Sequence, residues 1–271
     1  VTPSELDRLL EIGELAARVI MRIYATDFAV DFKGKDDPVT VADREANALL
    51  CEHIARDFPG VPIVSEENDP ATFAEGLRSK AAFFVDPLDG TREFVAKNGE
   101  FCVMIGLTRE GRAESGVIVC PALGRTYAGS VGVGAFEVDK DGSRRAIRVS
   151  TTTDMADARA VVSRSRSMHT IDVIQEHMGV REVIAMGSAG VKAARVACGE
   201  SDIYVQPGPA GKRWDACGPD ALVRAAGGMF TNQHGALIDY AGGQLENNDG
   251  MIATNGAVHE AVLAKVKRQD A

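Results

Sequence analysis

FFVDPLDGTREF, residues Phe83 to Phe94, is a short apolar run, then two carboxylates three positions apart at Asp86 and Asp89, then a Gly90-Thr91 pair that opens a helical segment. An apolar run ending in Asp86 reads as a buried strand, and Pro87 predicts that it stops there, which puts both carboxylates at the strand's carboxyl end. Open α/β sheets hold their ligands at that edge. Gly90 removes a side chain where the backbone must come close to something, and Thr91 begins a segment whose free N–H groups attract an anion. Carboxylates beside an anion site repel the anion unless a cation lies between them, and hard oxygen ligands at this spacing suit Mg2+. The stretch thus reads as a magnesium-dependent phosphate site. Taken alone it has a second reading, an Asp86-Pro87 turn with Asp89 capping a helix, and for an isolated DPLDG that is the commoner case.

The rest of the chain bounds the choice. With 271 residues, one large domain or two sharing a cleft are expected. A formal charge of −9 argues against binding a nucleic-acid polymer, which needs a basic footprint. A phosphorylated ligand would therefore be attracted by metal ions and a few local basic groups. The five cysteines are scattered and never form CxxC, which points to reduced thiols and against structural zinc. No apolar stretch reads as an integral membrane segment.

Further acids lie at element ends. Ser4 to Tyr24 has helical apolar spacing with Ser4 as N-cap, Phe28 to Phe32 reads as a strand, and Thr40 to Phe58 as a helix with Asp43 in its first turn. The helix dipole alone explains an acid at that position. Val61 to Val64 is a strand ending on Ser65-Glu66-Glu67, acids that are either solvated or share a cation with Asp86. From Phe101 to Val149 the pattern is an antiparallel meander, with Gly132-Val133-Gly134 as a hairpin turn. Strands and helices alternate after residue 150, which predicts an N-terminal α+β lobe over 1–150 and a C-terminal α/β lobe over 151–271. In the second lobe Asp215, beside the single tryptophan Trp214, reads as an N-cap or a metal ligand. Ser188 and Lys192 flank a helix start after Gly187, and the two arginines of Ser163-Arg164-Ser165-Arg166 either clamp a phosphate or face water.

Taken together, VTVAD at Val39 to Asp43, SEE at Ser65 to Glu67, DPLDGT at Asp86 to Thr91 and the downstream WDACGPDALVRAAGG resemble the lithium-sensitive, magnesium-dependent phosphatases of the inositol monophosphatase superfamily over nearly the whole chain. The resemblance implies an α/β (α+β) fold, a layered αβαβα sandwich. It implies two or three Mg2+ ions held by Glu66, Asp86, the Leu88 carbonyl, Asp89 and Asp215. Asp43 and Thr91 match the pair that orients and deprotonates the attacking water, with Glu66 beside it, and Gly90 and Thr91 match the phosphate cradle. A non-catalytic anion-binding module is the remote alternative, and it would have no need of the water-activating pair.

Within the superfamily, Arg92-Glu93-Phe94, the GSAGVK stretch from Gly187 to Lys192 and the KRWDACGPD stretch from Lys212 to Asp220 are most similar to 3'(2'),5'-bisphosphate nucleotidases, with a role in sulfur assimilation. A remote second phosphate needs its own cations, and Arg166, Lys192, Lys212 and Arg213 are the candidates. Ser163 and Ser188 match nucleotide contacts of that family, whereas Arg166 stands where the family commonly has histidine. Inositol or histidinol phosphate phosphatases are the alternative. The resemblance further implies a small phosphorylated substrate, a monomer or homodimer, and cytoplasmic residence, with peripheral attachment to the inner membrane left open.

Overall fold

A computed structural model describes residues 2–34, 37–139, 141–164 and 168–267. The elements of the first half are α1 (Pro3–Tyr24), β1 (Val30–Gly34), β2 (Asp37–Thr40), α2 (Val41–Asp57), β3 (Ile63–Ser65), α3 (Phe73–Gly76), β4 (Phe83–Asp89), α4 (Thr91–Val95), β5 (Cys102–Arg109), β6 (Arg112–Cys120), β7 (Arg125–Ser130), β8 (Gly134–Val138) and β9 (Arg144–Ile147). There follow β10 (Arg159–Ser163), α5 (Met168–Met178), β11 (Glu182–Met186), α6 (Ala189–Ala197), β12 (Ile203–Gln206), α7 (Arg213–Ala225), β13 (Met229–Thr231), β14 (Met251–Thr254) and α8 (His259–Lys267). Thr2, not Ser4, caps α1, because its side chain accepts the Glu5 N–H while Glu5 reaches back to the Thr2 N–H.

Side-chain alternation sets the layers. Along β4, Phe83 and Val85 face α1 and α2, whereas Phe84 faces the opposite way, toward α7. Along β10 and β12, Val161 and Tyr204 turn inward to the same central layer, and Ala160, Val162, Ile203 and Val205 turn outward to α5 and α8. The result is five layers: α1 and α2, a seven-stranded sheet ordered β3-β4-β5-β6-β7-β8-β9, then α6 and α7, a five-stranded sheet ordered β11-β10-β12-β14-β13, and finally α5 and α8. This is the expected αβαβα sandwich. In the large sheet β3 and β4 run parallel and the other pairs antiparallel. Phe83 and Phe84 are both fully buried, and each such side chain stabilises the fold by about 1.5–3 kcal/mol.

The central layer is thin where the site lies. A Cβ on Gly116 would sit 2.2 Å from the Gly218 carbonyl oxygen, and one on Gly106 would sit 2.5 Å from the Gly218 nitrogen. Glycine at these positions lets α7 rest directly on β5 and β6, which brings its amino-terminal turn to the end of β4.

Candidate active site

The chain does not leave β4 at Pro87. The strand runs on to Asp89, and the register against β5 slips by one residue, so that Asp86 faces Met104 and Asp89 faces Cys102. In a regular strand, residues three apart point to opposite faces. The inserted residue restores them to one face, the usual effect of a β-bulge. Met104 and Cys102 belong to the central layer, so Asp86 and Asp89 both point there, while Leu88 packs on the α1–α2 side. Pro87 has no N–H to lose from the ladder, which suits a bulge. Gly90 then reverses the chain at φ +95, and the helix-cap position falls on Gly90 rather than Asp89.

Asp215 reaches the same place from α7. It is the third residue of the helix, not its cap, and its Oδ2 accepts the Lys212 N–H at 2.6 Å. Gly211 makes room for it, since a Cβ there would lie 2.4 Å from Asp215 Oδ2. Trp214 beside it is packing, edge-on to Phe73 at 5.7 Å between ring centroids. One carboxylate oxygen from each of Asp86, Asp89 and Asp215 lies within 4.8 Å of the others. Glu66, just past the end of β3, lines the same cleft of about 480 Å3, together with Leu88, Gly90, Thr91, Arg92, Glu93, Ser163, Gly187 and Ser188.

These acids are held by neutral donors. Asp86 accepts the Leu88 N–H at 2.9 Å, and Asp89 Oδ2 accepts the Gly190 N–H at 2.8 Å and the Ser188 hydroxyl. Burial, followed by the charges of Glu66, Asp89 and Asp215, pushes the Asp86 carboxyl well above its ordinary value. Burial and then Asp89 push Asp215 up to about 8. Four acids gathered in a partly desolvated cleft repel one another, and a hard divalent cation relieves that repulsion with the oxygen ligands present.

Behind Thr91 stands Asp43. The Thr91 hydroxyl donates to Asp43 Oδ1 at 3.0 Å, while Asp43 Oδ2 accepts both the N–H and the hydroxyl of Thr40 at 2.7 Å. The capping role and the dyad therefore share one buried carboxylate, whose pKa is raised by burial against the lowering effect of those hydrogen bonds.

The expected phosphate cations are placed less simply. Lys192 is buried, and its ammonium donates to the Ser188 carbonyl at 2.6 Å. Lys212 lies 4.9 Å from the Trp214 ring centroid. Arg213 turns away from the acids, bonds Asn247 and lines a separate cavity of about 190 Å3 with Asn232, Asp239 and Asp249. That geometry turns Arg213 away from the phosphate contact expected of it. Arg164 pairs with Glu100, and Arg166 lies outside the described residues. Of the residues not singled out as site residues, Glu93 and Gly187 also line the cleft, and Glu100 braces Gly187 by accepting its N–H. Only Arg-Glu-Phe at 92–94 gave any signal of this, because the backbone contact from Gly187 to Glu100 leaves no pattern in sequence.

The model of the inositol monophosphatase family matches residues 4–271. The chain belongs to that family. Its phosphatase relatives include the 3'(2'),5'-bisphosphate nucleotidase CysQ of Salmonella typhimurium, 32% identical over 254 residues that cover 92% of this chain and 99% of the relative. CysQ of Haemophilus influenzae is 30% identical over 235 residues, 87% of each chain. Among solved structures, the extragenic suppressor protein SuhB of Bartonella henselae superposes with a TM-score of 0.82 at 26% identity, covering 98% of this chain and 99% of that one. The Thermotoga maritima IMPase gives 0.82 at 27% identity, covering 98% and 97%. Family membership makes the protein a phosphatase. Among the described residues no helix is long and apolar enough to cross a membrane.

A stability test follows from the acid cluster. Between about pH 4 and 8 the metal-free folded protein holds a proton on Asp215 that the unfolded chain has already released, and the raised Asp86 carboxyl acts in the same direction. The folded state binding more protons means that stability falls as pH rises through that window. In EDTA, Tm is expected to be lower at pH 8.5 than at pH 6.5, and Mg2+ is expected to raise it more at pH 8.5. Asp220, pushed up to about 7 by burial despite the hydrogen bond from Tyr240, adds a slope of the same sign that Mg2+ should leave in place. Thermal unfolding at the two pH values checks this; an equal Mg2+ effect at both would contradict it.

Proposed function

We propose that the protein is a magnesium-dependent 3'(2'),5'-bisphosphate nucleotidase that hydrolyses adenosine 3',5'-bisphosphate to AMP and phosphate. The observation that carries the reaction is the bulge that turns Asp86 and Asp89 to one face against Asp215. The substrate rests on the Arg92-Glu93-Phe94 and Gly187-to-Lys192 stretches and on the nucleotidases among the relatives.

Glu66, Asp86, Asp89, Asp215 and the Leu88 carbonyl would hold the ions. Magnesium bound there supplies Lewis-acid polarisation of the phosphoryl oxygens, a lowered pKa for the attacking water and neutralisation of the leaving oxygen's charge. Thr91 already directs its own proton at Asp43, which leaves its oxygen lone pair to accept a proton from a water in the cleft. Asp43 is oriented for that task by Thr40, whose N–H and hydroxyl both donate to the other carboxylate oxygen. Gly90 and Thr91 line the cleft where the phosphate would sit, and Ser163 and Arg92 line its approach. No cysteine or serine nucleophile is needed.

The test is a substrate panel at fixed Mg2+. Adenosine 3',5'-bisphosphate is expected to exceed inositol 1-phosphate in kcat/KM by tenfold or more, with turnover lost in EDTA. A preference for inositol 1-phosphate would favour the alternative of an inositol monophosphatase, and turnover that survives chelation would end the magnesium reading.

A further inference from the structure

Ser188 is held in a backbone conformation that L-residues rarely occupy, with φ +57 and ψ +129. Such a geometry persists only where its surroundings over-determine it. Here the chain is gripped on both sides. On one side the Gly187 N–H donates to Glu100 Oε2 at 2.7 Å, and on the other the buried Lys192 ammonium donates to the Ser188 carbonyl at 2.6 Å. Glu100 is itself fixed by the Arg164 guanidinium, whose Nε donates to Oε2 at 3.1 Å and whose Nη2 donates to Oε1. Paired charge-assisted bonds of this kind confer direction as well as strength. What the strained residue achieves is plain at its other end. The Ser188 hydroxyl and the Gly190 N–H both donate to Asp89 Oδ2.

We propose that Glu100 and Lys192 are positioning residues, a clamp that keeps Ser188 strained so that the second half of the chain orients the Asp89 carboxylate contributed by the first. The inference rests on Asp89 serving the metal site of the proposed reaction. It gives Lys192 work that requires burial, where a phosphate-binding lysine would have to face the cleft.

The test uses the whole protein with Glu100→Gln, Lys192→Met and Arg164→Met. The last alters a side chain that is 45% exposed, whose hydrogen bonds go to Glu100 and whose longer ion pair to Glu93 spans 3.9 Å, so its folding is not at stake. In EDTA, amide hydrogen exchange over residues 186–191 is expected to quicken tenfold or more in each variant, with β5 and α7 unchanged. Calorimetry is expected to show Mg2+ binding about tenfold weaker, and steady-state kinetics a lower kcat at saturating Mg2+ and substrate. Unchanged exchange in Arg164→Met and Glu100→Gln overturns the clamp. Faster exchange with unaltered Mg2+ affinity overturns its role toward Asp89. A raised KM in Lys192→Met without faster exchange returns that lysine to substrate binding. Should the unmodified protein bind no Mg2+, the proposed reaction fails, and the exchange measurement still judges the clamp.

Discussion

Asp86→Asn is expected to lower kcat/KM for phosphate release by about a thousandfold, ~4 kcal/mol of transition-state stabilisation, and at the same time to stabilise the metal-free protein. The two effects have one cause. Asp86 is buried against Glu66, Asp89 and Asp215, so its charge is costly until a cation offsets it. Asparagine keeps the oxygen that accepts the Leu88 N–H and removes the charge, which leaves the bulge intact. In EDTA at pH 8, Tm should therefore rise relative to the unmodified protein, whereas the Mg2+-dependent increment in Tm should shrink. Phosphate release and thermal unfolding, each with and without Mg2+, measure both arms. Near-normal activity in Asp86→Asn would mean that these acids do not carry the reaction, and a lower Tm in EDTA would mean that their mutual repulsion has been misjudged.

How far this site could be read from residues alone depended on what kind of contact made it. Asp86, Asp89 and Asp215 are acids at element ends, and acids at element ends leave a trace in sequence; their convergence was implied by resemblance to a family and is visible as geometry in the cluster. The layered sandwich was implied by the resemblance, while its elements were legible because β4 begins as a short apolar run and helices such as α1 repeat their apolar face. The bulge was not. Pro87 looks the same whether it stops a strand or sits where a ladder has slipped, and only the partners Met104 and Cys102 distinguish the two. The same blindness affected the cations. Spacing put Lys192 on a helix and Arg213 beside a metal-ligand candidate, but neither spacing nor charge says which way a long side chain turns. Lys192 turns back to cap a carbonyl, and Arg213 turns to Asn247. Glu100 carried no signal at all, because its partners are an amide and a guanidinium 87 and 64 positions away.

Thr91→Val separates proton transfer from metal binding and tests the dyad more directly than any change at Asp43. Asp43 has two duties, since its Oδ2 accepts both donors of Thr40 at the start of α2 while its Oδ1 accepts Thr91. Asparagine there would place an amide against a donor and disturb the helix start along with the dyad. Valine at 91 is close in shape, removes only the hydroxyl, and leaves Asp43 capped. General-base assistance contributes about 10²–10⁴ in rate, so kcat is expected to fall by about a hundredfold or more, with Mg2+ affinity and KM changed by less than about threefold. The acid limb of the pH profile carries the second expectation. In the unmodified protein kcat should decline as Asp43 takes up a proton, at a pH above that of an ordinary aspartate because burial raises its pKa. In Thr91→Val that dependence should flatten, as the group that titrates no longer communicates with the water. A variant that keeps both its rate and its acid limb would exclude Thr91 from the proton path and leave Asp43 as a helix cap alone.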